Sequence, residues 1–259
     1  MSVSYYDNTL VANPYNYGQV PEITVAANGS TTIEKHYALG RIAREMVQMM
    51  PDQRTAYMGD DGKYTGLFMF IADTAADLSA GSVYAEKWTQ TSAADAGAAT
   101  ISWIKLGYAT DAEIMALIDG GIVFSDIFTA SSTDPVDASY KKVRTNNGVE
   151  WLKLNSGMEQ AAAYLETRRY AAYLGATTEF NKMEGVAVNA ADKKLYVAMS
   201  YVEKGMVSDY DATDPADDIS QTKISSGVVY HLSLTGTQTD MDSNSIDSSF
   251  VATDVSGLG

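Results

Sequence analysis

The chain alternates short runs of β-branched and aromatic residues with clusters of Gly, Asn, Asp and Ser. That is the pattern of strands separated by tight turns. Residues 20–27 and 31–37 flank Asn28-Gly29-Ser30, which predicts a hairpin, because Asn and Gly take the positive φ that a short turn between twisted strands requires. Further strands are predicted over 55–58, 67–72, 83–89, 100–106, 186–188, 195–199 and 228–234. Helices are a minority. Residues 111–117 predict a short one with Asp111 as its N-cap, and 158–173, rich in Ala and stopped by Gly175, predict the longest. The fold class that follows is all-β with a helical insertion at about 157–175, in one domain over 1–259.

Two polar stretches read as loops, 131–147 and 208–221. The second carries Asp209, Asp211, Asp214, Asp217 and Asp218, but without the central Gly and final Glu of an EF-hand, so it reads either as a calcium loop or as a solvated one. From Thr235 the chain turns to Ser, Thr, Asp and Gly, and the tail over about 236–259 is predicted to be mobile, without a closing strand.

Composition narrows the function classes. The chain is 46% hydrophobic and 20% charged, enough apolar material for a core. Its net charge of -15, from 33 acidic and 18 basic residues, leaves no basic patch for phosphate backbones, which argues against nucleic acid and anionic membranes as partners. The excess carboxylates serve solubility or hold hard cations such as calcium. Without cysteine there are no disulfides and no thiolate metal ligands. The start, Met1-Ser-Val-Ser-Tyr-Tyr6, lacks the basic and apolar regions of a signal peptide, and no stretch approaches the ~20 apolar residues of a spanning helix.

The most informative feature is an internal repeat. Glu45-Met-Val-Gln-Met-Met-Pro-Asp-Gln-Arg-Thr-Ala-Tyr57-Met and Glu184-Gly-Val-Ala-Val-Asn-Ala-Ala-Asp-Lys-Lys-Leu-Tyr196-Val share a Glu, an apolar alternation, an Asp turn and a Tyr 12 positions after the Glu. Each is followed by Gly and another strand, at Gly66 and Gly227. Strand, turn, strand and third strand make the meander of a propeller blade. Equivalent residues of different blades converge at one end of a propeller axis, so Glu45 and Glu184 are predicted to face one point, as in a metal site built from residues far apart in sequence; unrelated surface glutamates on a sandwich are the other reading.

The residues also carry a resemblance. Gly40-Arg-Ile-Ala-Arg-Glu45, Tyr57-Met-Gly-Asp-Asp61, Gly66-Leu-Phe-Met-Phe70 and Ala176-Thr-Thr-Glu-Phe-Asn-Lys-Met-Glu-Gly185 resemble segments of the PhoX-like alkaline phosphatases, from about Asn13 to Tyr230. The resemblance implies a six-bladed β-propeller, incomplete here, with iron and calcium at one channel mouth, hydrolysing small-molecule phosphate monoesters. It implies metal ligation by Glu45, Glu184 and one of Asp60 and Asp61, and a catalytic role for Lys182, where the family often has an arginine near the phosphate. It also implies a periplasmic or secreted parent protein. The chemistry is coherent: hard cations prefer carboxylate oxygens, neutralise phosphate charge and orient an in-line attack. The departures are the missing Cys-bearing segment and closing segment, Arg44 in place of His, and Lys182-Met183 in place of Arg-Pro. They imply that the isolated chain binds little iron and turns over slowly. They also keep open a non-catalytic calcium-binding propeller and, more remotely, a propeller lactonase. The two histidines, His36 and His231, read as strand residues, and Arg168 and Arg169 as a solvated helix face.

Overall fold

Each predicted strand is found, and most run further at one or both ends. The computed structural model describes residues 13–208 and 210–258, so the chain start and Asp209 of the aspartate-rich loop lie outside the described residues. A first hairpin pairs β1 (Val20–Val25) with β2 (Thr31–His36), its turn made by Gly29 at φ +83°. Then come β3 (Arg44–Met49), β4 (Thr55–Asp60), β5 (Lys63–Thr65), β6 (Leu67–Thr74), β7 (Asp77–Ser92) and β8 (Ala98–Thr110). Helices α1 (Asp111–Asp119) and α2 (Phe124–Ile127) lead to a small sheet of β9 (Phe128–Ser131), β10 (Lys141–Thr145) and β11 (Gly148–Leu154). Helices α3 (Glu159–Leu165) and α4 (Thr167–Leu174) form the helical insertion. The chain continues through β12 (Phe180–Asn181), β13 (Met183–Asn189), β14 (Lys194–Met199), β15 (Val228–Thr235), β16 (Gln238–Thr239), β17 (Ser245–Ile246) and β18 (Val251–Leu258).

Nine strands form one antiparallel sheet in the order β13-β14-β15-β18-β8-β7-β6-β4-β3. It contains two four-stranded meanders, β3-β4-β6-β7 and β13-β14-β15-β18, each with the connectivity of a propeller blade. They are joined edge to edge by β8, which pairs with β7 along most of its length and with β18 at Ala98–Thr100. The far edge curls back until β13 packs on β3 and β4, so the sheet is nearly closed and barrel-like. Gly59 permits that closure: a Cβ there would stand 2.5 Å from the Met183 carbonyl oxygen.

Two apolar clusters lie on opposite faces. One, with Ala56, Met58, Phe68, Phe70 and Leu106, is covered by α1, α3 and α4. The other fills the inside between the two meanders, with Tyr57, Met69, Trp88, Trp103, Val186, Leu195, Val197 and Tyr230. Edge-to-face contacts of Trp88 with Phe180 and Tyr230, and of Tyr57 with Trp103, organise this interior.

Four expectations differ from what is observed. The tail predicted to be mobile over about 236–259 is built into the sheet: β18 lies between β15 and β8, and Trp103 Nε1 donates to the Ala252 carbonyl at 2.8 Å. Its inward residues, Val251, Ala252 and Val255, are too few and small to announce a strand. The long helix is two, because Glu166 leaves helical geometry (φ -124°, ψ 40°) while its buried carboxylate binds Tyr15 and Arg169. Thr110, not Asp111, caps α1, in a capping box with Glu113. The 131–147 stretch contains β10, which turns back as a hairpin into β11 through Asn146, Asn147 and Gly148.

Candidate functional site

The two repeat glutamates occupy the same irregularity. In the β3–β4 pair Arg44 faces Asp60 and Met46 faces Gly59, leaving Glu45 as an extra residue. In the β13–β14 pair Met183 faces Met199 and Gly185 faces Ala198, leaving Glu184 extra. Each is therefore a β-bulge at the start of the first strand of its meander, and bulges re-aim a side chain out of the alternation. Beyond them the registers coincide: Gln48 faces Tyr57, and Ala187 faces Tyr196. Gly59, which faces Met46, lies against Met183, so both bulges sit at the same end of the barrel-like sheet. Glu45 and Glu184 are both exposed there.

Lys182 sits between β12 and β13 in left-handed geometry, φ +46°, a conformation that strains a residue with a side chain. It is held by its N–H donating to the Gly62 carbonyl at 2.6 Å, while its own carbonyl accepts from Glu184 and Ser200 at 3.0 and 3.2 Å. The ammonium lies 2.8 Å from Glu184 Oε1 and 3.1 Å from Asp61 Oδ1. Ser200 Oγ donates to the other oxygen of Glu184. Lys182 and then Ser200 hold the Glu184 carboxyl below its ordinary range, and Glu184 and Asp61 in turn raise Lys182. Asp61 Oδ1 is buried and has only the Lys182 ammonium, off hydrogen-bond alignment, as its partner, so one cation is shared between two carboxylates. This corner suits a hard cation.

Asp60 faces elsewhere. It is fully buried, and its two oxygens accept from Arg168 Nε and Nη2, each at 2.5 Å, and from the Ala43 N–H at 3.1 Å. Burial pushes its carboxyl up against the pull of the Arg168 fork. Arg168 is thus a half-buried ion-pair partner rather than part of a solvated helix face, and Arg169 likewise binds Glu150 and Glu166 at 2.8 and 2.6 Å. Arg44 donates to the carbonyls of Gly18, Leu39 and Gly40, and burial pushes it down to about 10. Of the adjacent aspartates, Asp61 is the one beside Lys182 and Glu184. An open cleft of about 800 Å³ is lined by Arg41, Ala43, Asn146, Glu166, Arg168 and Arg169 among others, on the Arg168 side of Asp60; Glu45, Asp61, Lys182 and Glu184 do not line it.

Among the described residues, Glu45, Asp60, Asp61 and Glu184 do not converge as three ligands on one point; the acidic group that does is Glu22, Glu34 and His36. Sequence reasoning passed over that group because its members come from a hairpin and because His36 read as an isolated strand residue. The aspartate-rich loop is engaged by protein cations: Asp211 with Arg144 at 3.0 Å and Asp218 with Lys87 at 2.6 Å. Asp214, half-buried, is pushed up to about 6, chiefly by burial. No described helix is long and apolar enough to cross a membrane.

Fold and site together define a mostly-β protein of blade-like meanders that carries an acidic, cation-bridged corner at one end. The family described as alkaline phosphatase PhoX matches residues 2–254, and the chain belongs to that family. Among solved structures it is similar to Pseudomonas fluorescens PhoX in complex with vanadate, a transition state analogue, at 19% identity and a TM-score of 0.49, over 88% of this chain and 33% of that one. The chain spans about a third of the length of that protein. No curated protein matches it by sequence.

Proposed function

We propose that this chain supplies part of the active site of a metal-dependent phosphatase acting on small-molecule phosphate monoesters, exported to the periplasm or beyond. The observation that carries the reading is the pair of equivalent bulges, which set Glu45 and Glu184 at one end of two packed strands. Glu45, Asp61 and Glu184 are the proposed ligands, with iron and calcium as the metals; their oxygens do not meet on one point in the free chain, so a bound cation would have to draw the exposed Glu45 and Glu184 side chains together. Bound there, such cations neutralise phosphate charge and orient an oxygen nucleophile. Asp60 acts through Arg168, which fixes the turn that presents Asp61. Lys182, with its two carboxylates serving as ligands, has its ammonium free for a phosphate oxygen, as a mobile point charge rather than a planar fork. Family membership favours hydrolysis over a non-catalytic calcium scaffold.

The test is the iron and calcium content of the purified chain, expected to be low, and its slow hydrolysis of p-nitrophenyl phosphate at alkaline pH, each beside Glu45→Gln and Glu184→Gln. Both glutamates are exposed, so the variants retain the fold. Metal and turnover lost in both variants support the reading. Metal content and turnover indifferent to both substitutions would refute it.

A further inference from the structure

The first hairpin carries a second group of ligating atoms. Register places Glu22 opposite Glu34 and Val20 opposite His36, so Glu22, Glu34 and His36 project from one face within one strand repeat. One ligand atom from each lies within 4.8 Å of the others. His36 Nε2 stands 2.8 Å from Glu22 Oε2, and its other ring nitrogen, Nδ1, is 2.8 Å from Asp111 Oδ2. Asp111 is itself immobilised: its second oxygen accepts from the N–H groups of Tyr37 and Ala38 at 2.5 and 2.7 Å. The imidazole is buried at 4% exposure, while Glu34 is open to solvent.

This is the layout of a metal-binding histidine with its supporting carboxylate. Asp111 orients the ring through Nδ1 and leaves Nε2 aimed at two carboxylates, as in the carboxylate–histidine–zinc arrangement. Like charges directly across a two-stranded ribbon repel, and a shared cation removes that penalty. We propose that His36 Nε2, Glu22 and Glu34 form a binding site for a first-row divalent cation of the zinc type, with Asp111 as the positioning residue. One imidazole with two carboxylates suits Zn²⁺ in four-coordination, with water as the remaining ligand. Ligands about 2.1 Å from a metal lie roughly 3.4 Å apart, so the His36–Glu22 pair opens slightly from 2.8 Å while the exposed Glu34 side chain closes in from no more than 4.8 Å. The proton held between Nε2 and Glu22 leaves to solvent as the metal enters. None of these residues takes part in the proposed phosphatase corner, so the site stands or falls apart from it.

The experiment is a Zn²⁺ titration by calorimetry of the full chain in a Glu45→Gln/Glu184→Gln background, which removes the other exposed candidates. Alongside it, ¹⁵N-edited spectra of the imidazoles follow coordination directly. One equivalent of Zn²⁺ is expected, with the His36 Nε2 resonance shifted and that of His231 unmoved. Glu34→Gln should weaken binding at least tenfold and His36→Gln should abolish it. Glu34 lies outside both apolar clusters, so its variant tests the site even where His36→Gln does not fold. Zinc affinity unchanged in Glu34→Gln, an unmoved His36 resonance at saturation, or no binding at millimolar Zn²⁺ would each overturn the proposal.

Discussion

Glu86 lies on β7 opposite Trp103 of β8, 2% exposed within the interior shared by the two meanders. Burial is the whole cause of its shift, and it pushes the carboxyl from an ordinary 4.5 up to about 8. Folded protein therefore holds this proton up to about pH 8, whereas the unfolded chain releases it above 4.5. Between those values the folded state binds one more proton, so stability falls as pH rises, by about 1.4 kcal/mol per unit. Over the window the loss is on the order of 5 kcal/mol, comparable with the whole stability of many domains. The contribution is fully present below pH 4.5 and gone above about 8.

Glu179, also pushed up to about 8 by burial despite N–H donors at Asp218 and Ile219, adds a slope of the same sign. The informative quantity is therefore the difference between the wild type and Glu86→Gln, whose amide resembles the protonated acid in shape and neutrality. Urea unfolding at pH 5, 6, 7 and 8 should show the two proteins nearly equal at pH 5. The variant should then gain about 1.4 kcal/mol relative to wild type with each further unit. Parallel pH profiles would refute the claim that Glu86 is buried without compensation.

Two further perturbations probe how the sheet closes and how the acidic corner is braced. Gly59→Ala drives a Cβ against the Met183 carbonyl and should cost about 1–3 kcal/mol in urea unfolding; an unchanged midpoint would mean that β4 and β13 do not touch. Asp60→Asn leaves Arg168 and Arg44 without their buried anion and should cost about 3–5 kcal/mol, much of it recovered in the Asp60→Asn/Arg168→Met double variant; additive losses in the double-mutant cycle would show the pair to be independent.

Strand positions were legible because alternation reports which face is buried, and the β1–β2 hairpin because Asn-Gly specifies its turn. The β18 strand was not, since Thr253, Asp254 and Ser256 dominate it and its burial is supplied by partners distant in sequence, β15 and β8. At the site, the repeat placed Glu45 and Glu184 correctly relative to their own strands. It did not reveal that Asp60 turns inward to Arg168, because that contact spans 108 residues and joins the end of β4 to the helical insertion. The Asp111–His36–Glu22 arrangement was hidden for the same reason: three separate elements bring it together.

The way the two meanders stack follows from the same repeat. Met58 and Val197 are equivalent, as are Val47 and Val186, by the spacing that relates Glu45 to Glu184. Yet Val47 and Met58 face the helix-covered cluster, while Val186 and Val197 face the interior. A face-to-face sandwich of two like meanders related by a twofold axis would bury the same parity from both. Here one meander turns to the interior the face that the other turns to the helices. The same face of each unit thus looks in one rotational direction, as successive blades do around a propeller axis. That rotation carries equivalent strand starts to the same end, so the two glutamate bulges share an end through stacking geometry, although Glu45 and Glu184 are 139 residues apart in the chain.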